Sequence, residues 1–254
     1  MTTEMTASRL RSAGPLAWVV AATAIIQVIA PAITFNGLGG SPGSGAGPDL
    51  LITPVGWAFS IWGVIYTLAI AQAVVALTVD GAQVSRAQQI GQIVLYLGAT
   101  LWIVMAGLDS SVATACALAV MFVAAIMLVI ETAPRIHDDG WPAKLNLAAV
   151  GLYAGWVTAA FFLNISTALV DQGVLDADVV GWQIGMLAVA TLTLVVLLVR
   201  SGGNLAYAAA GAWALLGITV TGLSDGTTAV AIAAPIAVVV LLGTLVVSTV
   251  ADDG

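Results

Sequence analysis

The sequence predicts an all-α integral membrane protein, a bundle of about eight transmembrane helices, and three observations carry that expectation. Of the 254 residues, 61% are hydrophobic and only 7% are charged, against roughly 25% charged residues in a soluble domain, so there is too little polar material to face water. The mean hydropathy is +1.09. The few charges gather in short clusters between long apolar runs, and each run has about the 20 residues that one crossing of the hydrocarbon core requires.

The runs set the elements in order. A tail over residues 1–14 leads into a first helix from Pro15 to Phe35. Arg9 and Arg11 before an apolar stretch, with Ala30-Pro31-Ala32 after it, also have the form of a cleaved signal, but the length suits a full crossing and an uncleaved helix is preferred. The longest connection, 36–53, contains Gly39-Gly40-Ser41-Pro42-Gly43-Ser44-Gly45, a composition that favours flexible coil and fits either a lid or a loose surface loop. The second helix runs from Trp57 to Thr78, the third from Ile90 to Leu108 and the fourth from Val112 to Ile130. The polar stretch from Arg135 to Lys144 separates these from a fifth helix, Asn146 to Val170. Three more follow, Trp182 to Val199, Leu205 to Leu223 and Ala229 to Val250, and a tail over 251–254 closes the chain.

Charge orients the bundle, because Lys and Arg in short loops are retained on the cytoplasmic side. With these eight spans, Arg9, Arg11, Arg86, Arg135, Lys144 and Arg200 all fall on one face, together with both termini. The other face carries Asp49, Asp109, Asp171, Asp176, Asp178 and Asp225 without a single cation. The expectation is a multi-pass protein of the cell (plasma) membrane, with cytoplasmic N- and C-termini and an acidic outer surface.

Composition also excludes functions. A net charge of −7 leaves no basic patch, so nucleic acid is not a partner. No ionisable side chain lies near the centre of any span, which disfavours proton- or ion-coupled transport. The only lysine, Lys144, lies in a loop, so there is no buried amine for a retinal Schiff base. Asp176 with Asp178, Asp138 with Asp139, and the lone His137 read as solvated loop residues, so no metal site and no catalytic residue is expected. Cys116, within an apolar run, reads as a packing residue.

What remains at depth is aromatic. The second helix begins Pro54-Val55-Gly56-Trp57-Ala58-Phe59-Ser60-Ile61-Trp62, with Tyr66 following, and Phe59, Trp62 and Tyr66 at i, i+3 and i+7 put three rings on one helix face. In the fifth, Tyr153, Trp156, Ala160 and Asn164 form a comparable stripe that ends in an amide. Two such faces can stack on a flat hydrophobic ligand, but on the residues alone plain helix packing or interfacial anchoring is the preferred reading. Gly151-x-x-x-Gly155 and Gly181-x-x-x-Gly185 permit close helix approach, within the bundle or between the subunits of a homodimer.

These two stripes resemble the TspO/MBR family, the tryptophan-rich sensory proteins that include the mitochondrial translocator protein, or peripheral benzodiazepine receptor. Pro54, Gly56, Trp57, Phe59, Trp62 and Tyr66 are similar to its Pro-Pro-Gly-Trp-x-Phe and Trp-x-x-x-Tyr signature. Tyr153, Trp156, Ala160, Leu163 and Asn164 resemble its fifth-helix pattern. The chain departs from the family at Val55, in place of the second proline, at the spacing of Phe59 and Trp62, closer by one residue, and at Ala99, where an asparagine precedes Trp102.

The resemblance implies a five-helix core over 15–170 with outer loop 36–53, followed by three additional helices over 171–250, as in a longer bacterial type. It implies a pocket among the first five helices, closed by the first loop. The pocket would be lined by Trp57, Phe59, Trp62, Tyr66, Trp102, Tyr153, Trp156 and Asn164, with Tyr66, Tyr153 and Asn164 offering hydrogen bonds. Its ligand would be a tetrapyrrole, porphyrin or haem, or another flat apolar molecule, with no cofactor required and no catalysis. A sterol pattern is not implied, since nothing basic lies between Asn164 and Arg200. The expected function is a membrane sensor, carrier or regulator for that ligand. The alternatives are a facilitative transporter of a neutral or apolar solute and a non-catalytic scaffold subunit resting on the small-residue seam of Ala206 to Gly217.

Overall fold

The computed structural model describes residues 14–37 and 47–252. Among them are eight α-helices and no strand. They are α1 (Pro15–Gly37), α2 (Ile61–Thr78), α3 (Arg86–Gly107), α4 (Ser111–Thr132), α5 (Trp141–Asp171), α6 (Val180–Arg200), α7 (Leu205–Ser224) and α8 (Thr228–Asp252). Every one is long and apolar enough to cross a bilayer, and the protein is an all-α membrane bundle.

The distribution of side chains is the reverse of a soluble fold. Large aliphatic residues such as Ile33, Val123, Met127, Val239 and Val247 face outward, while Gln27, Gln72, Gln92, Asn164 and Thr158 are buried. In hydrocarbon, apolar surface has nothing to gain from burial and polar groups have much to lose from exposure, so polar side chains turn inward. Cys116 is exposed on α4, not packed inside as its apolar surroundings in sequence suggested.

Helix α5 is the axis of the bundle and packs against α2, α4, α6 and α7. Its Gly151-x-x-x-Gly155 seam is used within the chain: a Cβ at Gly155 would collide with the carbonyl oxygen of Tyr207, and one at Gly151 with the Asn204 side chain, both of the α7 side. Gly181 and Gly185 have no described atom within 4 Å of where a Cβ would sit. The tight α6–α7 link depends on Gly202 and Gly203, both at positive φ, and on Asn204, whose Oδ1 accepts from the Tyr207 N–H at 3.0 Å while its Nδ2 donates to the Leu147 carbonyl at 3.2 Å.

Helix starts depart from the apolar ruler where a polar first turn extends the helix beyond the hydrocarbon. Ser85 caps α3, its Oγ accepting from the Gln88 N–H at 3.0 Å, so α3 begins at Arg86, four residues before the apolar run. Pro142 sits in the first turn of α5, which begins at Trp141 instead of Asn146. The second span opens differently: Gly56–Ser60 is a 3₁₀ turn, and α2 proper starts at Ile61.

Alternation of the helices places Arg86, Arg135, Lys144 and Arg200 at one end, with Asp80, Glu131, Asp138 and Asp139 among them. Arg135 pairs with Asp138 at 3.0 Å and Lys144 with Asp139 at 3.2 Å. This is the mixed-charge end. The opposite, acidic end holds Asp49, Asp109, Asp171, Asp176, Asp178 and Asp225 and no Lys or Arg among the described residues. Arg9 and Arg11, and the Gly39 to Gly45 stretch of the first loop, lie outside the described residues.

Candidate ligand site

The end of the first loop and the 3₁₀ turn are held by α7. The Val55 N–H donates to the Gly217 carbonyl at 3.2 Å, Thr221 Oγ1 to the Thr53 carbonyl at 2.8 Å, and Trp213 Nε1 to the Ala58 carbonyl at 2.7 Å. Gly217 lets Pro54 and Ala58 approach this closely, since a Cβ there would lie 2.8 Å from the Ala58 side chain. Leu50 and Ile52 are buried just upstream. This clamp fixes where Phe59 and Trp62 leave the backbone.

Four rings then assemble. Trp62 stacks on Trp102 of α3 with centroids 5.6 Å apart and planes at 28°, and meets Trp156 of α5 edge-on at 6.2 Å. Phe59 meets Trp156 edge-on at 5.6 Å. Offset and edge-to-face contacts are the favourable geometries for such rings. Asn164 serves this assembly: its Oδ1 accepts from Trp102 Nε1 at 3.0 Å and its Nδ2 donates to the Ala160 carbonyl at 2.9 Å.

Phe59, Trp62, Trp102, Trp156 and Asn164 form one wall of an internal cavity. Trp57, Tyr66 and Tyr153 do not line it. Trp57 is half exposed and packs edge-on against Trp213 at 4.9 Å. Tyr66 and Tyr153 stand behind Trp62, and the Tyr153 hydroxyl donates to Gln27 Oε1 at 2.7 Å. Tyr153 and Asn164, expected to hydrogen-bond a ligand, are thus already engaged within the protein. The donors left over are the indole N–H groups of Trp62 and Trp156, buried and without a partner among the described residues.

The opposite wall is Met186, Leu187, Ala190 and Leu194 of α6 with Ala214, Leu215 and Ile218 of α7. The pocket therefore lies between the first five helices and the next two, and is not confined to the first five as the resemblance implied. Sequence reasoning missed this wall because its residues carry no chemical signal: Leu187, Ala190 and Leu194 are buried while Val189, Leu192 and Val196 on the same helix face outward, and the two sets are alike in type. The enclosed volume is about 40 Å³, room for a few waters at roughly 10–15 Å³ each. No ionisable side chain among the described residues lines it.

An eight-helix membrane bundle with a tryptophan-lined cavity at its centre defines the class. Within that class the chain belongs to the TSPO-like protein family, whose model matches residues 16–247. The match takes in all eight helices, well past residue 170, where the five-helix core implied by the two motifs ends. No curated protein and no solved structure matches the chain.

Proposed function

We propose that this protein binds a flat, hydrophobic molecule, porphyrin-like or otherwise planar, between the aromatic wall of α2, α3 and α5 and the aliphatic wall of α6 and α7. It acts as a membrane sensor, carrier or regulator of that ligand, without catalysis, in the plasma membrane with both ends cytoplasmic. One observation carries the reading. Two buried indole N–H donors belong to rings that line the cavity, and neither has an acceptor among the described residues. Such a donor costs about 1–3 kcal/mol when left unpaired, and a ligand that offers two acceptor atoms between the walls recovers that loss.

The rest of the ligand is bound by ring stacking and apolar burial, the usual composition of a small-molecule site with few convergent polar groups. With only about 40 Å³ enclosed, against the roughly 300–1,000 Å³ of a ligand pocket, uptake separates the α6–α7 wall from the aromatic one. Binding is therefore coupled to a helix displacement.

Titration of the purified, lipid-embedded protein with protoporphyrin IX tests the proposal through quenching of tryptophan fluorescence. The wild type should quench saturably, the double variant Trp62→Phe, Trp156→Phe should lose affinity, and Ala190→Phe, which keeps every tryptophan and fills the far wall, should block saturation. Equal quenching in all three proteins rejects the site.

A further inference from the structure

The half of the bundle nearer the mixed-charge end is built on different chemistry. Five carboxamides are buried there: Gln27 of α1, Gln72 of α2, Gln88 and Gln92 of α3, and Asn146 of α5. With Tyr153 they form three separate hydrogen-bonded pairs at successive levels. Gln88 Nε2 donates to Asn146 Oδ1 at 2.6 Å, Gln92 Nε2 to Gln72 Oε1 at 2.9 Å, and the Tyr153 hydroxyl to Gln27 Oε1 at 2.7 Å. Gln88, Gln92 and Tyr96 follow one another at four-residue steps and so climb a single face of α3, one turn at a time. Tyr96 stacks on Tyr153 at 5.8 Å, and Tyr153 meets the edge of Trp62 at 5.8 Å. The series thus ends on the wall of the aromatic cavity.

Its other end opens outward. Asn146 lines a hollow of about 270 Å³ at the mixed-charge end, shared with Val84, Arg135, Asp138, Asp139 and Ala143. Inside the series two atoms have no partner among the described residues, Gln27 Nε2 and Gln92 Oε1, on side chains that are 0% and 1% exposed. One is a donor and the other an acceptor. Helix α1, which carries Gln27, packs on both α2 and α3. Whatever satisfies both must offer an acceptor and a donor, and the carboxamides give it no countercharge. Water meets these conditions, and a buried water requires two to four polar partners, which this series supplies.

We propose that the carboxamide series is a hydrated path, entered at the hollow beside Asn146, in which water held by Gln27 and Gln92 connects the mixed-charge end of the bundle to the inner wall of the aromatic cavity. Beyond the charged hollow at its mouth, the path is lined by carboxamides and tyrosine hydroxyls and carries water without a charged relay. It is independent of what the aromatic cavity binds.

X-ray hydroxyl-radical footprinting of the full chain in lipid nanodiscs tests it, because radicals formed from water modify only the side chains beside that water. Tyr96 and Tyr153 should be modified although both are buried, while Met121, equally buried in apolar surroundings, stays unmodified as the dry reference. The double variant Gln27→Leu, Gln92→Leu should lose the tyrosine modification, and Gln27→Asn, Gln92→Asn should retain part of it. Absence of modification at both tyrosines in the wild type, modification of Met121 to the same extent, or tyrosine modification unchanged in the leucine variant overturns the proposal. The wild-type result decides the question alone if a variant fails to fold.

Discussion

The two walls of the cavity differ in every respect except that both are buried. The aromatic wall comes from α2, α3 and α5, is fixed by named polar contacts such as Asn164 to Trp102, and carries two donors in excess of its acceptors. The aliphatic wall of α6 and α7 has no polar atom to offer and is placed by close packing, above all where α7 meets α5 at Gly155 and the 3₁₀ turn at Gly217. The contrast separates a wall of rings held by named polar contacts from a wall held by aliphatic packing alone. Polar contacts are concentrated on the first side, and aliphatic side chains and Met186 make up the second.

The sharpest way to break this arrangement is at the joint between the walls. Gly155→Val places a branched side chain against the Tyr207 carbonyl and Ala210 and should destabilise the protein by about 3 kcal/mol, the upper end for overpacking, measured by equilibrium unfolding in mixed micelles. Next comes Asn164→Leu, which leaves the buried Trp102 N–H unpaired and should cost about 2 kcal/mol, with a change in Trp102 fluorescence that Gly155→Val does not reproduce. Trp213→Phe removes a single bond to the Ala58 carbonyl, worth about 1 kcal/mol, and should speed proteolysis of the 3₁₀ turn more than it lowers overall stability. Trp156→Phe discards a donor that has no partner among the described residues, so the melting temperature should stay level or rise while ligand quenching weakens. Smallest of all, Gly185→Ala meets no described atom and should leave unfolding unchanged or raise stability by under 1 kcal/mol, the helix-propensity gain alone. A large loss there would show that α6 uses this face against a partner.

How much of this was legible in the sequence follows the same division. All eight helices could be read from apolar length, because the bilayer imposes one ruler on every crossing. Their starts could not be read where Ser85 or Pro142 begins a helix in the polar zone, since hydropathy measures the hydrocarbon and not the helix. Phe59, Trp62, Trp156 and Asn164 stood out by residue type and periodicity, Trp102 came from the family resemblance alone, and the structure brings all five to one cavity. Trp57 came from the family signature and lies on the flank against Trp213, since a residue five positions before Trp62 does not share its helix face. Which polar groups are spent and which are spare was not legible at all: the commitment of Tyr153 to Gln27 joins residues 126 positions apart. The α6–α7 wall was equally silent, since alanine and leucine are the same letters whether they meet lipid or a cavity.

The three bonds from α7 to residues 53–58 have one more consequence. Phe59 and Trp62 hang from a stretch of backbone that is fastened to the wall facing them, so an outward tilt of α7 at the acidic end pulls on the very rings it uncovers. A shift of α7 and a shift of this segment are thereby one motion, carried by Trp213, Thr221 and the Gly217 carbonyl.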